Sequence, residues 1–448
     1  MFKTGFSKIN LKDALSPQLP IREPIEAVSA YFENDETSAL WIVLDFMDFN
    51  KLYTDTIRTK ISEDLGLSQE KIHVLTTHNH GGGTPSIEIL AELCSKCAFD
   101  AKDKAIHAKI RYARTESDRQ LNILRRLYIP EIEGVSTLYF GACEKNMHNS
   151  LLFKERVISE LREGRICNYI GEDAIDEVVP FAEGDKELFV LQFVSLDGAL
   201  IGSIVRFASH AVTCNREGSY SSDYPYYVRA GMEAEFGGIC MFLNGPCAEI
   251  APSMHDKFDG SEKTLGKQIA NLAIEAIGNS ELESIYHFAD DKHEIMLPVR
   301  KEVIDNFVSI ESEMPDSIPD KRRHLEKIKL KGSLPFLREK YSEGESVLGE
   351  EISVQIGLLQ LNDITFLAFP GETFYKTGDY IKKSFAEKRI ITVTEHERTV
   401  MYLPPEEDFK LGGYESTCKL TASNSESVLR EKVLDYLKKH EEGKKYET

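Results

Sequence analysis

The sequence predicts an α/β protein, a mixed β-sheet with helices on its faces. Three observations predict it. Short apolar runs rich in β-branched residues are bounded by turn signals, amphipathic helical stretches lie between them, and two pairs of runs are joined by tight-turn dipeptides. The runs are ALWIVLDF at 39–46, KIHVLTT at 71–77, ELFVLQFVSL at 187–196, ALIGSIVRFAS at 199–209, GGICMFLNG at 237–245 and RIITVTE at 389–395. Asp197-Gly198 joins the third to the fourth as a hairpin, and Asn362-Asp363 joins ISVQIGLLQL to ITFLAF as a second. Helices are expected at 55–66, 225–237 and 262–278. The last carries Leu265, Ile269, Leu272, Ala273 and Ala276 on one 3.6-residue stripe.

The chain of 448 residues shows no repeat, no low-complexity linker and no break in composition, so residues 1–448 are expected to form one domain. The segment at about 296–350 is dense in charge and helix formers and reads as a charged helical insertion. The C-terminal stretch from Ser425 reads as an amphipathic helix with a polar end. With 54 basic against 74 acidic side chains the formal charge is −20, which repels phosphate backbones and anionic headgroups and argues against a nucleic-acid or membrane-surface partner. No apolar run approaches the ~18 residues of a membrane span. The first residues hold no secretory apolar stretch, so a cytoplasmic location is expected. The eight scattered cysteines, including the lone Cys94-x-x-Cys97 in a helical stretch, read as buried thiols. Oligomeric state is not legible.

Three strand ends carry metal-capable side chains. In KIHVLTTHNHGGGTP a strand runs into His78-Asn79-His80, and the period of two puts both imidazoles on one side of an extended chain. His210 follows the strand at 199–209, where a lone histidine reads more readily as structural. Glu372 sits in Pro370-Gly371-Glu372, directly past ITFLAF, where an exposed turn glutamate is the ordinary reading. Together they change the odds, because ligands in α/β sheets collect at the carboxyl ends of strands. Two histidines and a glutamate are also the protein ligands of many catalytic zinc sites.

These motifs resemble the catalytic domain of the neutral/alkaline, non-lysosomal ceramidases along almost the whole chain. THNHGGGTP is similar to that family's THTHSGPGG, and RFASHAV with SYSSDYPYY to its strand–His segment and following S-x-D-x-x-G-Y stretch. FLNGPCAEIAPS is similar to its G-D-V-S-P-N loop, FPGETF to PGEFT, and MYLPPEEDFKLGGYE to GYxxTxEEYxxxxYE. The resemblance implies one zinc per chain held by His78, His210, Glu372 and Tyr402. It places His80 in the substrate pocket as a catalytic group that stabilises the oxyanion or carries the proton to the leaving amine, and it implies hydrolysis of an N-acyl amide such as ceramide. Asp223 is a candidate to orient a ligand histidine, with a capping role as the alternative.

The chain also departs from that pattern. The serine of the G-D-V-S-P-N loop falls at Ala251 and its aspartate at Glu249, while the arginine of an N-I-N-R-S segment is set against Asn149 in KNMHNS. The family's C-terminal immunoglobulin-like domain has no counterpart here. Loss of the serine argues against a covalent route and leaves a metal route, in which zinc activates water and polarises the scissile carbonyl. The expected function is therefore a zinc-dependent amidohydrolase acting on ceramide or on a smaller, more soluble amide. A zinc esterase, lactonase or peptidase on the same core, and a non-catalytic ligand-binding descendant, are the alternatives.

Overall fold

A computed structural model of the chain describes residues 1–17, 19–117, 121–129, 133–137, 184–213, 218–252, 261–278, 280–300 and 350–446, with residues 319, 323 and 337. Strands form where the apolar runs predict them. The larger sheet is built from β1 (Lys3–Asn10), β2 (Glu26–Glu33), β3 (Ser38–Leu44), β4 (Ile72–Thr76), β5 (Ile106–Glu116), β6 (Glu187–Ser195), β7 (Leu200–Phe207) and β8 (Ile239–Asn244), in the order β8-β7-β6-β5-β1-β2-β3-β4. The short strand Glu283–Ser284 adds to β5. The β3–β4 and β7–β8 pairs are parallel and the other neighbours antiparallel. A second sheet runs β9 (Phe288–Pro298), β10 (Glu351–Leu361), β11 (Ile364–Ala368) and β12 (Arg389–Val393), with β11–β12 parallel.

Period-two alternation sorts the strand side chains between two faces, and both faces are covered. Trp41 and Val43 of β3 join Phe6, Phe32, Phe189 and Phe193 in a layer that meets Leu359, Phe366 and Ile391 of the second sheet. Leu40, Ile42 and Leu44, one residue out of step, pack instead with Ile57 and Ile61 of helix α1 (Lys51–Leu65) and Leu90 and Cys94 of α2 (Ile87–Asp103). Helices α3 (Asp223–Phe236) and α4 (Ser261–Ile277) cover the β6–β8 part of the same outer face. Outside the second sheet lie α5 (Tyr375–Ser384) and α6 (Ser425–Tyr446), through Ile381, Leu429 and Val433.

The expected mixed α/β architecture is therefore present, with one feature the one-dimensional pattern does not carry. The two sheets share their inner faces, and helices cover each from outside. At roughly 1.5–3 kcal/mol for each fully buried large apolar side chain, the phenylalanine-rich layer between the sheets fixes their spacing. That spacing sets how closely the strand ends of the two sheets approach.

Of the segment expected to be a charged helical insertion, Met296, Leu297 and Pro298 instead close β9. They pair with Ser353, Ile352 and Glu351, because alternating Ile295 and Leu297 bury against the second sheet. The remainder lies largely outside the described residues. Cys94, Cys97, Cys240, Cys247 and Cys418 are buried free thiols, as read from the sequence. No helix among the described residues is long and apolar enough to cross a membrane.

Candidate metal centre

Three parallel strand pairs, β3–β4, β7–β8 and β11–β12, deliver the candidate ligands. The chain leaves β4 at Thr76 and enters the left-handed region at His78, where φ is +57°. Such a conformation costs a non-glycine residue about 1–3 kcal/mol, and hydrogen bonds on both sides impose it. The amides of Thr77 and Asn79 donate to Leu44 O and Phe46 O, and Asn79 Nδ2 donates to Asp45 O and Ser221 O. Gly81 and Gly82 are needed next because a Cβ there would lie 2.5 Å from Ser221 O and 2.4 Å from Asp45 O. The His80 amide donates to Ala211 O, tying this loop to the segment that carries His210. Asn244, at the end of β8, binds both sides. Its Nδ2 donates to Thr77 O at 3.1 Å and Ser209 O at 3.0 Å, and its Oδ1 accepts from the Ser209 amide.

The side chains then converge. Glu372 Oε2 lies 3.2 Å from His210 Nε2 and 3.4 Å from His78 Nε2, and His80 Nε2 lies 3.4 Å from His78 Nε2. His78, His210 and Glu372 are buried, and His80 is partly exposed. The far nitrogens decide the chemistry. His78 Nδ1 faces Met47 O at 3.1 Å and His210 Nδ1 faces Ile250 O at 2.9 Å, and a carbonyl can only accept. Each Nδ1 therefore carries a proton, which leaves each Nε2 as the atom facing the Glu372 carboxylate. Two Nε2 atoms and a carboxylate oxygen gathered in one buried space attract positive charge, whether a proton on His78 or a metal ion, and as a ligand set they suit zinc. Burial would lower the His78 imidazole, but Glu372 and Glu395 outweigh it and raise it to about 9, so the cage draws in positive charge. Burial would likewise raise Glu372, yet the neighbouring His78 holds it well below the usual carboxylate range. Burial lowers His210 to about 4 and also holds His80 well down, leaving both neutral.

Tyr402 lies beside Glu372, because the two-residue strands Glu372–Thr373 and Tyr402–Leu403 pair in parallel with Glu372 opposite Tyr402. Its hydroxyl accepts from Arg125 at 3.0 Å, and Arg125 is itself paired with Glu415 at 3.1 Å. All three side chains are buried. Burial pushes the Tyr402 phenol far up, and the Arg125 cation works against that.

Arg125 is the site residue that sequence reasoning missed, although a signal was present. Asn122-Ile123-Leu124-Arg125-Arg126 keeps the Asn, Ile and Arg of N-I-N-R-S, whereas Asn149 lies outside the described residues. Ala251 is buried in the strand Ile250–Pro252, opposite Ile123, and offers no hydroxyl. Glu249, pushed up to about 7 by burial, accepts from the Tyr375 amide at 3.0 Å. Asp223 accepts from the Thr213 hydroxyl and the Tyr224 amide at the start of α3. Main-chain carbonyls do the orienting of His78 and His210 described above.

A second buried group, His73, His396 and Glu397, also gathers donor atoms within 4.8 Å. Its carboxylate is already neutralised by Lys292 at 2.5 Å and Arg58 at 3.2 Å, which leaves little attraction for a metal ion. His73 Nε2 lies 3.0 Å from Asp290 Oδ1. Burial pushes the Asp290 carboxyl from its ordinary 3.8 up to about 7, despite Lys71 and Lys292. A folded-state value raised in this way gives stability that is present at low pH and lost as pH rises through about 7. Asp290 is expected to remove about 2 kcal/mol of stability between pH 5 and pH 8, and Asp290→Asn to flatten that decline. Urea unfolding of both proteins at the two pH values measures the difference.

The architecture matches that of solved structures. The chain superposes on neutral ceramidase from Pseudomonas aeruginosa with a TM-score of 0.66 and 14% identity, over 97% of this chain and 73% of that one. A structure described as ceramidase complexed with C2 gives the same score and identity, over 97% of this chain and 74% of that one. This chain thus has the neutral ceramidase fold. No family model and no curated protein matches its sequence.

Proposed function

We propose that this chain is a zinc-dependent amidohydrolase that cleaves an N-acyl amide, holding the metal with His78, His210, Glu372 and Tyr402. The observation that carries the proposal is the convergence of both Nε2 atoms on the buried Glu372 carboxylate, with Nδ1 of each ring committed to a carbonyl. The ceramidase fold supports the reaction class. When bound, zinc supplies Lewis acidity toward the scissile carbonyl and toward water.

The chain's own groups do the rest. His80 is neutral and partly exposed beside the cluster, so its imidazole takes the proton that water loses on attacking the carbonyl carbon and gives it to the amine nitrogen as the C–N bond breaks. Arg125 stabilises negative charge on the Tyr402 oxygen, which burial alone would keep protonated. With Ala251 where a hydroxyl would be needed, attack by water replaces a covalent serine step.

Purified protein is expected to contain about one zinc per chain and to hydrolyse a panel of N-acyl amides, from ceramides to short soluble ones, faster than the matching esters. Chelation is expected to stop turnover and added zinc to restore it. A folded protein that takes up no zinc from excess, or one that binds zinc and turns over no amide in the panel, overturns the proposal.

A further inference from the structure

Glu395 ends the run that follows β12, in the left-handed region with φ +57°, the same value as His78. The two residues face each other. Glu395 O accepts from the Thr76 amide at 3.1 Å, just before His78, and Glu395 Oε1 lies 3.4 Å from His78 Nδ1. The carboxylate is buried, and its Oε1 has no hydrogen-bond partner among the described residues. A buried carboxylate oxygen without a partner weakens a fold rather than supporting it. Nor is it needed to choose the imidazole tautomer, since Met47 O already takes the Nδ1 proton at 3.1 Å. What remains is its carboxyl group, placed directly behind one candidate ligand; burial pushes that carboxyl well above the usual carboxylate range and a cation at His78 opposes the shift. His210, in contrast, donates to the neutral Ile250 carbonyl.

We propose that Glu395 is a positioning residue that acts through His78 to tighten zinc binding, at a cost to the metal-free fold. A carboxylate behind an imidazole makes the opposite nitrogen a stronger donor. The inference rests on the metal-site assignment above. It adds that the two histidines are unequal ligands, His78 being the one whose basicity is tuned.

The test measures zinc affinity by competition with a chromogenic chelator, together with the melting temperature of the zinc-free protein. It uses the wild type, Glu395→Gln, Glu395→Asp and His78→Ala. Glu395→Gln is expected to bind zinc about 10–100-fold more weakly, the range for groups that orient a ligand. Glu395→Asp is expected to restore part of that loss. Zinc-free Glu395→Gln is expected to melt at or above zinc-free wild type, because the carboxyl oxygen it replaces is buried without a hydrogen-bond partner. Opposite signs for affinity and stability separate positioning from a structural role, which would lower both together. If Glu395→Gln binds zinc like the wild type, if affinity and zinc-free stability fall together, or if the Gln variant fails to fold, the inference is overturned and the metal site stands. If the wild type takes up no zinc, His78→Ala is indistinguishable from it, and the metal site itself fails.

Discussion

His210→Ala is expected to abolish zinc binding and to lower kcat/KM for amide hydrolysis by about 10³-fold or more. The magnitude follows from what the metal supplies. Lewis-acid stabilisation of the developing charge is worth several kcal/mol, and each 1.36 kcal/mol is a factor of ten in rate. His210 is fully buried, its Nδ1 is committed to Ile250 O, and its Nε2 is 3.2 Å from Glu372 Oε2. A water molecule can enter the space the ring leaves, but it lacks the fixed direction of an imidazole. A ligand acts on the fold mainly through the ion it holds, and this makes the loss separable from unfolding. Zinc at a hundredfold excess over its dissociation constant should stabilise the wild type by about 2.7 kcal/mol. The His210→Ala variant should melt at one temperature with and without zinc. Calorimetry with metal analysis and turnover of the best amide substrate check all three expectations. A variant that keeps its zinc and its rate would remove His210 from the site.

His210 also shows where sequence reasoning reached and where it stopped. Strand ends were legible because each run is buried on both faces and so reads as continuous β-branched and aliphatic residues. The metal-capable residues beyond three of them, His78, His210 and Glu372, are brought together by the structure. Tyr402 had no such mark. Its two-residue strand exists only because it pairs with Glu372–Thr373, a contact with no trace in local periodicity. Arg125 was marked by its neighbours Asn122 and Ile123, and Asn149, against which the arginine was set, lies outside the described residues. Face-to-face packing of the sheets was not legible either. An apolar side chain in a strand looks the same whether it meets a helix or a second sheet. Asn244 and Glu395 lie furthest from sequence logic. Each acts through main-chain atoms or a ring supplied by a distant segment, so their roles appear only once the strands are side by side.

Arg229→Met is expected to destabilise the protein by about 3–5 kcal/mol at pH 7, the cost of breaking a buried ion pair from one side. Arg229 of α3 reaches under the sheet to donate to Asp45 Oδ1 at 2.8 Å, Asp45 Oδ2 at 2.6 Å and Glu26 Oε2 at 3.2 Å. Asp45 and Glu26 are themselves cross-linked, because the Glu26 amide donates to Asp45 Oδ2 and the Asp45 amide to Glu26 O. Methionine fills most of the volume but leaves Asp45 without its Arg229 partner and Glu26 with only the more distant Lys8, at 3.9 Å. The effect extends to the metal loop. Asp45 Oδ1 accepts from the Thr77 hydroxyl and Asp45 O accepts from Asn79 Nδ2, on either side of His78. Burial already raises Glu26, and Arg229, with a smaller contribution from Lys8, opposes it. Without that cation Glu26 should protonate more readily, so the penalty is expected to shrink as pH falls from 7 toward 5. Arg229→Met combined with Asp45→Asn and Glu26→Gln should recover much of the loss, since neutral partners leave no unpaired charge to bury. Urea unfolding of the single and triple variants at pH 5 and pH 7 decides it. A single variant within about 1 kcal/mol of wild type at pH 7 would show that water, not Arg229, carries these carboxylates.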